Sequence, residues 1–353
     1  MKIETYPDSV IYIAAPANSA TGGPELLHQL AYHLRKDLGL NAYMYYIPND
    51  HPTPVHPEYI HYDNPFVREI KDDERNVLIV PEVSNTINIL KEYFRVRKCV
   101  WWLSVDNFYL SILLNNTRNF LFSRIVNKLG MFFLNRPLID IQAEIYKTID
   151  FNSFQLPREV KDVDLHLVQS HYALNHLVNK GINKENIFYL SDYLNINFLK
   201  TKAKLSNKEN IVVYNPKKGF NFTKKIINYA KDVNFIPIVN MTRHEVIETL
   251  QRAKVYIDFG NHPGKDRIPR ESAILGCCVI TNKRGSAAFY NDLPIPEGYK
   301  FEDKDEYIPL IINKIKDCLE YFEERYKDFD NYRKIIIQEP QKFIEDLKRL
   351  FVS

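Results

Sequence analysis

The chain of 353 residues is expected to fold as an α/β protein of two domains, each built on a parallel sheet. Three observations carry that expectation. Short apolar runs alternate with amphipathic helical segments, the pattern of parallel strands covered by helices. The alternation occurs twice, on either side of a polar stretch at 201–210 (TKAKLSNKEN). The length suits two domains, and 45% hydrophobic residues can fill both cores.

In the first half, strands are expected at 9–14 (SVIYIA), 41–47, 77–80 (VLIV), 99–105 (CVWWLSV), 165–169 (LHLVQ) and 187–190. Helices are expected at 24–38, 86–95 and from 170 to Lys180. The first helix places Leu26, Leu27, Leu30, Ala31 and Leu34 on one face, and Gly39 is its expected stop. The second half gives strands at 211–214, 235–239 and 255–259, and helices at 223–231 and 245–253. Residues 305–353 read as charged amphipathic helices.

Composition excludes several classes. Net charge is +3, from 47 basic and 44 acidic residues, which does not argue for nucleic acid. Cys99, Cys277, Cys278 and Cys318 lie mostly in apolar runs and read as reduced and buried, consistent with the cytosol. No Cys/His metal spacing occurs. The first residues, MKIETYPDSV, lack a secretory apolar core, and no run of 18 apolar residues could span a membrane.

The richest stretch is 262–281, HPGKDRIPRESAILGCCVIT. It reads as a basic loop, a short helix and a buried strand. Pro269 suits the first helical turn and Gly276 the helix end. Lys265, Arg267 and Arg270 surround a helix N-terminus, which already favours anions. Glu271 adds a carboxylate able to accept from ribose hydroxyls. Cations, amides and a carboxylate at the C-terminal end of a strand suit a nucleotide.

This stretch resembles the donor-nucleotide site of GT-B glycosyltransferases, especially the family-four type of bacterial surface polysaccharide synthesis. Glu271 and SAILGCCVIT match the second half of that family's pattern of two glutamates seven residues apart. The first glutamate falls on Pro263 and is absent. The resemblance implies a GT-B fold, with two Rossmann-like domains whose parallel sheets face across a cleft, and C-terminal helices. It implies an acceptor-side domain at 1–200, a linker at 201–210, a nucleotide-sugar domain at 211–320, and helices at 321–353 that cross back.

The resemblance extends to other turns. Gly22 and Gly23, between the first strand and first helix, match the family's N-terminal Gly-Gly loop and let backbone approach a ligand. Lys218-Gly219, with Lys217 before it, is similar to the Lys-Gly pair that neutralises the donor diphosphate. Arg284 and Gly285 match the glycine-containing turn that faces the donor sugar. Asp106, at the end of an apolar strand, is the expected catalytic residue, orienting a hydroxyl or acting as base. Glu82, also at a strand end, is the expected acceptor contact. His28, His33 and His171 read as structural.

The implied activity is metal-independent glycosyl transfer from a nucleotide-activated sugar to a glycan or lipid-linked glycan acceptor, with no cofactor. The triplet Asp162-Val163-Asp164 precedes its strand, whereas a metal-holding DxD should follow one. A sugar-nucleotide epimerase and a catalytically silent nucleotide-sugar-binding partner are the alternatives. Within an insertion at 108–140, residues 121–134 (LFSRIVNKLGMFFL) show an apolar stripe with Arg124, Lys128 and Arg136 nearby. That helix either docks on the inner face of the cytoplasmic membrane, on anionic lipid, or packs on the first domain.

Overall fold

The computed structural model describes residues 2–115, 120–134, 139, 141–148 and 150–352. Two compact units divide the chain. The first comprises Met1–Val168, Ala173–Tyr189 and Lys348–Ser353, and the second Gln169–Tyr172 and Leu190–Leu347.

The first unit contains β1 (Ile3–Glu4), β2 (Ile11–Pro16), β3 (Ala42–Ile47), β4 (Phe66–Val67), β5 (Val77–Pro81), β6 (Arg97–Trp102), β7 (Leu165–Val168) and β8 (Ile187–Tyr189). Strands β2 to β8 form one sheet in the order β4-β3-β2-β5-β6-β7-β8, with every pair parallel. The second unit contains β9 (Glu209–Tyr214), β10 (Asn234–Pro237), β11 (Ala253–Asp258), β12 (Cys278–Asn282) and β13 (Lys300–Phe301). Their order is β10-β9-β11-β12-β13, again parallel throughout. The short β14 (Phe351–Val352) pairs with β1, Ile3 opposite Phe351.

Both sheets are doubly wound. The strand order reverses between β2 and β5 in the first, and between β9 and β11 in the second. Such reversal points are where open α/β sheets bind ligands, beyond the carboxyl ends of the strands. The strand sequences explain the burial. All five residues of β5 and all five of β12 are buried, as strands covered on both faces must be.

Three departures from the expected elements have a visible physical cause. The helix expected at 86–95 is only Ser84–Ile87 followed by a 3₁₀ turn, Asn88–Lys91. Asp72 is the reason. Its carboxylate accepts the backbone N–H groups of Phe94, Arg95 and Val96 at 2.8–2.9 Å, outside any helix. The strand expected to 105 ends at Trp102, because Glu82 accepts the Leu103 N–H at 3.0 Å and a helix opens at Val105. The stretch 201–210 lies inside the second unit, and the chain leaves the first at Tyr189. There the Lys208 ammonium donates to the carbonyls of Leu250, Ala253 and Leu275 at 2.6–2.9 Å, which ties the polar stretch to the sheet's helices.

Among the described residues no helix is long and apolar enough to cross a membrane. The helix Leu121–Leu134 forms, and its two faces differ. Ser123 donates to Glu144, and Asn127 exchanges hydrogen bonds with the backbone of Ile139, so this face packs inward. Leu121, Phe122, Ile125 and Leu129 lie on the other side and are more than half exposed. Lys128 is exposed, whereas Arg124 turns to the Leu114 carbonyl. Arg136 lies outside the described residues.

Candidate functional site

In the second unit, the loops after β9, β11 and β12 adjoin at the reversal point. Two glycines lock them together. Gly219 has φ +65° and caps the helix Phe220–Tyr229, and a Cβ there would strike the Phe259 carbonyl. Gly285 has φ +54°, and its Cβ would strike the His262 carbonyl. Each permits a positive φ and a backbone contact that a side chain would forbid. Ser286 completes the join: its N–H donates to His262 O at 2.9 Å and its hydroxyl to Gly264 O at 2.5 Å.

This layer carries most of the expected donor residues. Glu271 is buried in the short helix Arg267–Ile274, just past β11. Arg267 opens that helix, half-buried. Lys217 is exposed in a turn held by its own N–H on Asn215 Oδ1. Arg284 is half exposed, with its guanidinium on Asp303 and 3.4 Å from Asn261 Oδ1.

Lys218 is engaged. Its ammonium lies 3.2 Å from Asp258 Oδ2 and also binds Asp266 Oδ2. Burial opposes its charge, but the two carboxylates outweigh burial and raise its pKa. Asp266 is likewise resisted by burial, yet Lys218 and His262 hold its pKa far below the usual range. Asp258 is fixed in turn by the Tyr256 hydroxyl at 2.9 Å and the Gly260 N–H at 3.0 Å. Asp258, His262 and Asp266 escaped the sequence reading. The spacing His262-x3-Asp266 after a strand-end aspartate was the available signal.

Arg270 and Lys265 do not meet the expectation of phosphate contacts. The Arg270 side chain is completely buried. It holds Asp192 with both terminal nitrogens and Glu339 at 2.9 Å. Lys265, 9% exposed, binds the same two carboxylates at 3.2 and 2.8 Å. The four form a closed internal ion cluster that packs the helix Arg267–Ile274 against the helix Asp330–Leu350. Burial raises the pKa of Asp192, but the two cations prevail and bring it to about 2.

In the first unit the expected residues also lie past the carboxyl ends of adjacent strands. Gly22 and Gly23 open the helix Gly22–Lys36 after β2. Gly23 faces Leu103, where a Cβ would sit 3.5 Å away. Glu82 follows β5 and is 2% exposed, and burial pushes its pKa up to about 7 against three backbone N–H bonds. Asp106 stands in the first turn of the helix Val105–Asn115 rather than at a strand end, and accepts from the Tyr146 hydroxyl at 3.0 Å. It too is buried, at 4% exposure.

His28 is structural. Its Nδ1–H donates to Pro24 O, its Nε2 accepts from Tyr46, and burial lowers its pKa to about 4. His33 donates to Asp37 at 2.7 Å, and the His171 backbone N–H donates to Asp292. In the triplet 162–164, Asp164 accepts the Lys98 N–H at 2.7 Å and Asp162 binds Arg158, so both carboxylates serve local structure.

No family model matches the chain, and no curated protein does. Solved structures do. HepE of Anabaena, solved with UDP-glucose, is similar over 97% of this chain and 100% of its own, at 12% identity and a TM-score of 0.57. Sucrose-phosphate synthase of Thermosynechococcus elongatus is similar over 96% and 98%, at 13% identity and a TM-score of 0.52. TarM is similar over 80% of this chain, which spans only 56% of TarM, at 13% identity and a TM-score of 0.52. Two doubly wound parallel sheets and these likenesses make the fold GT-B.

Proposed function

We propose that the chain transfers a sugar from a nucleotide-activated donor to a glycan acceptor during synthesis of a bacterial surface polysaccharide, such as capsule or lipopolysaccharide. The observation that carries this reading is the full-length likeness to HepE in complex with UDP-glucose. It is supported by the cluster of Glu271, Lys217, Lys218, Arg267, Arg284 and Gly285 at one reversal point.

Each residue has a role in this reading. Glu271 accepts from the ribose hydroxyls. Lys217, Lys218 and Arg267 counter the diphosphate as it departs, when a fixed cation is worth most. Lys218 does so by exchanging its present carboxylate partners for phosphate. Arg284 and Gly285 face the sugar, and Gly22 and Gly23 admit the donor to the first unit's helix N-terminus. Asp106 orients or deprotonates the acceptor hydroxyl, and Glu82, poised near neutrality, supports it. The outward apolar stripe of Leu121–Leu134 supports docking on the inner face of the cytoplasmic membrane, where a lipid-linked acceptor would lie.

The test is incubation of the purified chain with a panel of nucleotide sugars. Slow release of free sugar and nucleoside diphosphate is expected. A changed sugar still bound to its nucleotide would replace transfer with epimerisation. Binding without turnover, with or without glycan acceptors, would leave a silent nucleotide-sugar partner.

A further inference from the structure

We propose that Asp258, His262 and Asp266 form a divalent-cation site, with His262 Nε2 and a carboxylate oxygen of Asp258 as its inner ligands. The His262 side chain is 1% exposed, and its Nδ1 lies 2.7 Å from Asp266 Oδ2. A carboxylate accepts there, so Nδ1 carries a proton, and in the neutral ring Nε2 carries the lone pair. That Nε2 is buried and has no hydrogen-bond partner. It looks onto Asp258 Oδ1 at 3.9 Å. The separation is too long for a hydrogen bond, and the neutral ring sets two acceptors facing each other across it.

A metal ion fits that gap. Ligand bonds of about 2.0–2.2 Å to imidazole nitrogen and carboxylate oxygen together reach about 4.2 Å. One ligand atom from each of the three residues falls in a set no wider than 4.8 Å. Asp266 behind the imidazole N–H is the carboxylate–histidine pairing that orients metal-bound histidines. Asp258 is already fixed by the Tyr256 hydroxyl and the Gly260 N–H.

Charge points the same way. One ammonium, Lys218, stands against two carboxylates. The cluster thus has room for more positive charge, and a purely cationic phosphate cradle would not carry this excess of carboxylate. Asp258 and His262 are closed off, whereas the Lys218 and Asp266 side chains are 24% and 19% exposed. The ion enters on that side and displaces the Lys218 ammonium. An imidazole and a carboxylate as ligands, with a second carboxylate behind the imidazole, suit Zn²⁺ or Mn²⁺ better than Ca²⁺.

The inference stands on this cluster alone and does not rest on the sugar-transfer reading. Its test is calorimetric titration of the intact chain with Zn²⁺, and absorption spectroscopy with Co²⁺, without any nucleotide sugar. One equivalent of Zn²⁺ is expected. Asp258→Asn and His262→Ala should each weaken binding at least tenfold, in variants whose circular dichroism matches wild type. Lys218→Met should bind several-fold tighter, a gain that unfolding cannot produce. Absence of Zn²⁺ binding in both wild type and Lys218→Met overturns the site, as does affinity indifferent to His262 and Asp258. A chain that binds zinc but turns over no donor would keep this site and lose the transferase.

Discussion

Arg270 grips Asp192 in parallel, Nη1 to Oδ1 at 3.0 Å and Nη2 to Oδ2 at 2.5 Å, although 78 residues separate them. Neither side chain is more than 1% exposed. Removing the arginine would leave Asp192 and Glu339 buried with Lys265 as the remaining cation in contact with both. Breaking a buried pair from one side costs about 3–5 kcal/mol. Arg270→Ala is therefore expected to lower the denaturant midpoint of the second unit strongly. A midpoint equal to wild type would return Arg270 to the ligand-binding candidates.

Glu271 is tested through binding. It shares the helix Arg267–Ile274 with Arg270, and its carboxylate is proposed to accept from ribose. Glu271→Gln keeps the side chain's shape and removes its charge. Loss of charge-assisted bonds to ribose should weaken nucleotide binding by roughly 1.5–3 kcal/mol. Titration of both proteins with the turned-over nucleoside diphosphate decides it, and equal affinities would remove the ribose role.

Glu82 couples stability of the first unit to pH. Burial raises its folded pKa to about 7, above the ordinary carboxylate value. Between those values the folded state holds a proton that the unfolded state has released. Its stabilising contribution is complete below the ordinary value and is lost as pH rises to about 7. Glu82→Gln should remove this slope. The melting temperature of wild type relative to the variant should fall between pH 5 and pH 7 and then level off. A constant difference across that window would contradict the shift.

The helix Leu121–Leu134 should bind anionic vesicles, weakly and in a salt-sensitive way. The exposed Leu121, Phe122, Ile125 and Leu129 supply apolar area, and Lys128 contributes on the order of 1 kcal/mol at low salt. Phe122→Ser with Leu129→Ser should abolish flotation with phosphatidylserine vesicles. Flotation equal to that of wild type, or none by wild type at low salt, would end the membrane reading.

Much of this architecture was legible in the sequence, because parallel strands buried on both faces read as unbroken apolar runs. The runs VYIDF and CCVIT fell on β11 and β12, and Gly276 follows its helix at φ +89°. Two-residue strands such as β1, β4 and β14 carry too little periodicity to be seen. Other misses share one cause, a partner remote in sequence. Asp72 reaches across 22 residues to claim the Phe94 N–H, and Asp192 and Glu339 claim Arg270. An arginine beside a helix N-terminus looks the same whether it awaits an anion or already holds one.

Gly219 and Gly285 set a further consequence for how this layer can change. Each rests on the backbone of a neighbouring loop, so the three loops share one shape. Exchanging a side chain at either position would not edit a single turn but would push the adjoining one. If this layer holds the donor as proposed, selection for a new one must work through the residues those loops present, such as Lys217 and Arg284, while their framework is inherited as a single piece.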